Sequence, residues 1–139
     1  MKVKLNTGGF LYLEASIQFT VVERSVDKFG SAVSSNGRYK VSTRGYMYSI
    51  LRADESELIA YHWHPEAKGD VDYPHQHLGT ALLCNEGPVS RKNHMRTGRM
   101  SFEDVVYNLI ELGAVTMHLL HDQILKANRL RFEHWKSWG

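Results

Sequence analysis

His62 and His64 flank Trp63, and His75 and His77 flank Gln76. In an extended chain, alternate side chains share a face, so each pair sets two imidazoles on one side and its middle residue on the other. Ten residues separate His64 from His75, enough for a loop that returns the second segment alongside the first. Four imidazoles would then share one patch, with Tyr61, Asp72 and Tyr73 close in sequence. A single His-x-His is commonly a solvated strand face. Two within sixteen residues, each beside a proline (Pro65 and Pro74), point instead to a working site.

Two chemistries want such a patch. The leading expectation is general acid–base catalysis without a cofactor, because histidine titrates near neutrality and one ring can take a proton while a neighbour gives one. Cleavage of RNA by its own 2′-hydroxyl needs that pair. One of His62 and His64 would be the base and one of His75 and His77 the acid. The alternative is a metal-binding protein or metalloenzyme in which the same four histidines hold a divalent transition metal such as zinc. Asp72, Glu66 or Asp70 would then orient the ligands from behind. A third reading is non-catalytic: a subunit of a defence complex that contacts a partner through its basic loop and last helix.

Phosphate chemistry also needs cations. Residues 87–100 (GPVSRKNHMRTGRM) carry Arg91, Lys92, Arg96 and Arg99 and no acid, a local charge of +4 in a chain whose net charge is +2. Arginine forks suit phosphate oxygens, and this segment leads into a helix start near Ser101 that favours an anion. These residues are the expected phosphate site, and RNA the expected partner. A solvated loop of inert cations is the plain alternative. His94, inside it, reads as an exposed loop histidine or a further acid–base group.

Other features bear on function mainly by exclusion. The single cysteine, Cys84, allows no internal disulfide and no four-cysteine zinc site, and fits a reducing cytoplasm. The N-terminal stretch lacks a signal-peptide core, and no uncharged apolar run approaches the length of a membrane helix. No glycine-rich nucleotide loop, nucleophile elbow or HExxH motif is present. Tyr46, Tyr48, Tyr61 and Trp63 read as core aromatics more readily than as a base-stacking platform. His118 and His121 read as an exposed helix end. A homodimer is left open.

The elements that must position the site follow from periodicity. The length and apolar content fit one domain over residues 1–139. Ile17, Phe19 and Val21 alternate with Gln18, Thr20 and Val22, and Tyr46, Tyr48 and Ile50 with Met47, Ser49 and Leu51. Residues 46–52 and 58–64 form an expected antiparallel hairpin across the acidic turn 54–57. Gly30 to Gly37 reads as a wide turn. His75 to Leu83 is extended, and 88–100 an exposed loop. Ser101 with Asp104 three residues on predicts a capped helix ending near Gly113. A second helix is expected from about His118 to Trp135, burying Leu120, Ile124, Leu125, Leu130, Phe132 and Trp135. Strands followed by helices predict an α+β fold: an antiparallel β-sheet with two C-terminal helices packed on one face.

The segments Tyr61-His62-Trp63-His64, Pro74-His75-Gln76-His77 and Thr97-Gly98-Arg99-Met100-Ser101-Phe102-Glu103-Asp104-Val105-Val106 together resemble the TumE-type small bacterial toxins of toxin–antitoxin systems, over about residues 44–112. The resemblance implies a toxin encoded beside a helix-turn-helix antitoxin and acting on RNA or the translation apparatus. It carries over to His62, His64, His75 and His77 alone. Gln76 departs from the adjacent histidine pair common in that family, and the loop 65–74 differs in composition.

Overall fold

A computed structural model of the chain describes residues 1–4, 11–23, 39–66, 71–83, 89–90, 92–114, 116 and 118–138. Strands β1 (Lys2–Lys4), β2 (Leu11–Glu23), β3 (Tyr39–Arg52), β4 (Glu57–Trp63), β5 (His75–Leu78) and β6 (Met95–Arg96) lie side by side in chain order, each antiparallel to the next. Short connections between successive strands favour this meander. Helices α1 (Phe102–Glu111) and α2 (His121–Trp135) follow, and a last strand, β7 (Lys136–Trp138), pairs parallel with β3 at Val41–Thr43. The α+β class, with its antiparallel sheet and two C-terminal helices, is the one that the sequence leads one to expect. Among the described residues, no helix is long and apolar enough to cross a membrane.

The hairpin of β3 and β4 carries the core. Tyr46 pairs with Trp63, Tyr48 with Tyr61 and Ile50 with Ile59, which sets one face of alternating large side chains. The rings of Tyr46 and Tyr48 stack with centroids 4.9 Å apart, and Phe102 of α1 meets Tyr48 at 6.1 Å. Val105 and Leu109, four residues apart on α1, bury against this face. Burying side chains of this size contributes roughly 1.5–3 kcal/mol each. The phenol tips are satisfied: the Tyr46 hydroxyl accepts from the Met100 backbone N–H at 2.9 Å, and that of Tyr61 from Asn108 Nδ2 at 3.1 Å. The aromatic row is therefore core, and offers no surface to a base.

The start and stop of α1 are those predicted. The Ser101 hydroxyl accepts from the Asp104 N–H, and the Asp104 carboxylate accepts from the Ser101 N–H, a reciprocal cap. Gly113 ends the run at φ +94°, which a residue with a Cβ adopts only under strain.

The structure departs from expectation in two places, the stretch 88–100 and the side of α2, and adds a detail to β2. The stretch 88–100 is not all loop, because Met95 and Arg96 form β6 against β5. The alternating residues Ile17, Phe19 and Val21 lie on β2 as the period of two predicts, but they do not share one environment. A bulge at Gln18/Phe19 breaks the register opposite Gly45, and beyond it Phe19 and Val21 are exposed while Ile17 packs on the core. The side of α2 expected to be buried is largely open, with Leu120, Ile124 and Leu130 at 51%, 43% and 66% exposure. Polar contacts hold α2 to α1: Arg129 with Asp104 at 3.0 Å, and the Tyr107 hydroxyl donating to the Asp122 carbonyl at 3.3 Å. The turn over Gly30–Gly37, together with Cys84, Asp70 and Arg91, lies outside the described residues.

Two backbone irregularities shape the far face. Leu51 pairs with Glu57 while Ile50 pairs with Ile59, so Leu58 is an extra residue. This bulge turns Glu57 to the face opposite the aromatics, where it accepts from the Ser49 hydroxyl at 3.4 Å. Gly79 then docks on that bulge. Its N–H donates to the Leu58 carbonyl at 2.7 Å, and a Cβ there would fall 1.5 Å from the Glu57 carbonyl oxygen. Gly79→Ala should destabilise the fold by about 3 kcal/mol through this backbone clash. The urea midpoint of the variant checks this; an unshifted midpoint refutes it.

Candidate metal centre

The register of three strands assembles the site. His62 faces His75 across β4 and β5, and His77 stands beside Ala60. His75 faces Arg96 and Gln76 faces Met95 across β5 and β6, which brings His94 level with His77. Side-chain alternation then sends His62, His64, His75, His77 and His94 to the face opposite α1, while Tyr61 and Trp63 enter the core. The structure thus unites the four predicted histidines and adds a fifth.

His75 is the hub. Its ring centroid lies 5.6 Å from that of His62, 5.5 Å from His64, 4.9 Å from His77 and 4.8 Å from His94. The His77 and His94 rings are 4.5 Å apart. Ringed in this way, His75 is fully buried (0% exposed). His94 was the residue most easily missed. Its strand is two residues long and sits in a polar, basic segment with no strand composition. The only signal was the alternation of His94 with Arg96 around Met95.

Hydrogen bonding fixes the chemistry of the hub. His75 Nδ1 lies 2.8 Å from the Tyr73 carbonyl oxygen. A carbonyl only accepts, so Nδ1 carries the proton and Nε2 presents a lone pair. That Nε2 is buried without a partner, as is Nε2 of His62. Burial, reinforced by the neighbouring imidazoles, holds His62 down to about 4, and burial also lowers His75 despite the Tyr73 contact. Both rings are therefore neutral at pH 7. Neutral rings with an inward lone pair, one oriented from behind by a carbonyl, are what a metal ion requires.

The ligand atoms fall into two groups, His62–His64–His75 and His75–His77–His94, each lying within 4.8 Å of one another. Tetrahedral zinc would draw such nitrogens to about 3.4 Å apart, a shift that side-chain rotation supplies. The Tyr73 carbonyl takes the position behind His75 that a carboxylate was expected to fill, and Glu66 lines a hollow with Gln18, Arg44 and His64.

A cleft of about 880 Å³ opens beside the cluster, lined by His62, His77 and His94 together with Glu55, Glu57, Thr80 and Lys92. Of the four cations expected to hold phosphate, Lys92 reaches this cleft. The Arg96 guanidinium lies 3.5 Å over the Tyr73 ring. Arg99 stacks 4.4 Å over Trp63, whose side chain enters the core on the α1 side of the sheet. Arg91 lies outside the described residues.

Comparisons with protein-family models, curated proteins and solved structures find no match. The site's own geometry therefore carries the functional argument, and the likeness to TumE-type toxins rests on the short motifs alone.

Proposed function

We propose that this protein binds a divalent transition-metal ion through its histidine cluster and uses it as a Lewis acid on a substrate held in the adjoining cleft. The observation that carries the reading is the buried Nε2 of His75, a lone pair without a partner whose ring is set by the Tyr73 carbonyl. Leaving such a nitrogen unsatisfied costs about 1–3 kcal/mol, which a bound ion would recover. Three imidazole ligands leave a coordination position open, the pattern of catalytic rather than structural zinc. Imidazole also suits nickel and copper. Lys92 lines the cleft together with Glu55 and Glu57, so a substrate there meets charges of both signs.

Calorimetric titration of chelator-stripped protein, prepared without a polyhistidine tag, checks the reading. One Zn²⁺ per chain with a dissociation constant below about 1 μM is expected; absence of binding at millimolar zinc overturns it.

A second reading, metal-independent cleavage of RNA by a toxin, is favoured by one observation: His77, His94 and Lys92 line a cleft with room for a nucleotide. In that reading His62, held neutral, is the base. His77 rather than the enclosed His75 is the acid. RNA cleavage that survives excess chelator and is lost in His77→Ala would favour it over the metal. Cleavage abolished by chelator and restored by zinc would favour the metal.

A further inference from the structure

We infer that the cluster holds one ion in either of two seats that share His75, and that the ion moves between a seat over the strands and a seat facing the cleft. The inference rests on the metal reading above and gives it a stoichiometry and a path.

The first seat is His62, His64 and His75; the second is His75, His77 and His94. Both need the same nitrogen. His75 Nδ1 is committed as a donor to the Tyr73 carbonyl, so the ring has only its Nε2 lone pair to give, and one lone pair binds one ion. Bridging two ions would require both ring nitrogens, and one of them already carries a proton held in a 2.8 Å bond. Charge argues the same way. Both groups consist of imidazoles alone, with no carboxylate to bridge or neutralise two dications held on either side of one ring. Two occupied seats would repel each other with nothing between them.

The seats differ in outlook. His64 lines small hollows over β2 and β3 with Gln18, whereas His77 and His94 line the large cleft with Lys92. An ion in the second seat would meet whatever fills the cleft between two of its ligands, whereas the first seat reaches the cleft through His62 alone. The exchange needs no movement of His75. Its Nε2 stays bound while the two outer ligands are traded, one exposed histidine in each seat (His64 or His94) being the ring free to swing.

Cobalt titration of the tag-free, chelator-stripped protein, followed by visible absorption, tests this. His64 and His94 are both exposed, so their truncation leaves the core untouched. Wild type should take up one Co²⁺ per chain. His64→Ala and His94→Ala should each still bind one ion, within about tenfold of wild-type affinity, with d–d spectra that differ from each other. The double variant should bind at least about 100-fold more weakly. Uptake of two ions by wild type overturns the inference while leaving the metal reading intact, as does loss of binding in one single variant equal to that of the double. No uptake by wild type overturns both.

Discussion

His75→Gln should lower the affinity for Zn²⁺ by at least about 100-fold, the largest single-site effect in the cluster. Glutamine approximates the volume of the ring and can still donate to the Tyr73 carbonyl, but it has no imidazole lone pair at the position of Nε2. The substitution therefore removes a ligand without opening a cavity. Because His75 belongs to both triads, no combination of the remaining histidines rebuilds a group of three ligand atoms as close as those in the native cluster. Alanine at the same position would confound the measurement, since a fully buried ring would be lost with its contacts to four other imidazoles. Calorimetry gives the affinity and circular dichroism confirms the fold. A folded His75→Gln protein that binds zinc like wild type removes the basis of the metal reading.

The second large effect is on stability against pH. In metal-stripped protein, the melting temperature should fall by roughly 5 °C or more as the pH drops from 7 to 5. An unfolded histidine titrates near 6.5, whereas His62 in the folded chain is held down to about 4, mainly by burial. Between these values the unfolded chain binds more protons than the folded one, so stability rises with pH across that window. It is complete above about 6.5 and is lost progressively toward 4. His75, also lowered by burial, adds to the slope in the same direction. The interval from 7 to 5 lies above the ordinary range of carboxylates, so histidines dominate the change. His62→Gln should flatten the profile, and saturating zinc should hold the native rings neutral and raise the whole curve. A wild-type melting temperature independent of pH across this interval would show that these rings are not held neutral by their surroundings.

How much of this was legible in the sequence depends on where the signal lies. The two His-x-His pairs announce themselves, because alternation is a local property and a ten-residue loop is long enough to bring them together. The cap at Ser101 and the stop at Gly113 are equally local. His94 joins the cluster through a two-residue strand whose pairing is set by β5, a tertiary fact with no composition of its own. The surroundings of the cations were hidden for a related reason. Their charge is written in the sequence, but Arg96 and Arg99 are drawn onto aromatic rings, and only the fold shows that Tyr73 and Trp63 lie beside them. The apolar residues of α2 were read as a buried stripe, yet α1 already covers the aromatic face, and α2 is held by an ion pair.

The extra residue at Leu58 makes the sign of the cleft a matter of counting. Counted back from Ile59 in strict two-residue phase, Glu57 would share the side of Tyr61 and Trp63, and the extra residue at Leu58 is what carries its carboxylate over to the side of Ser49. The acid that shares the cleft with Lys92 is thus placed by an irregularity in the strand, and a perfectly regular β4 would have turned it away from the histidines.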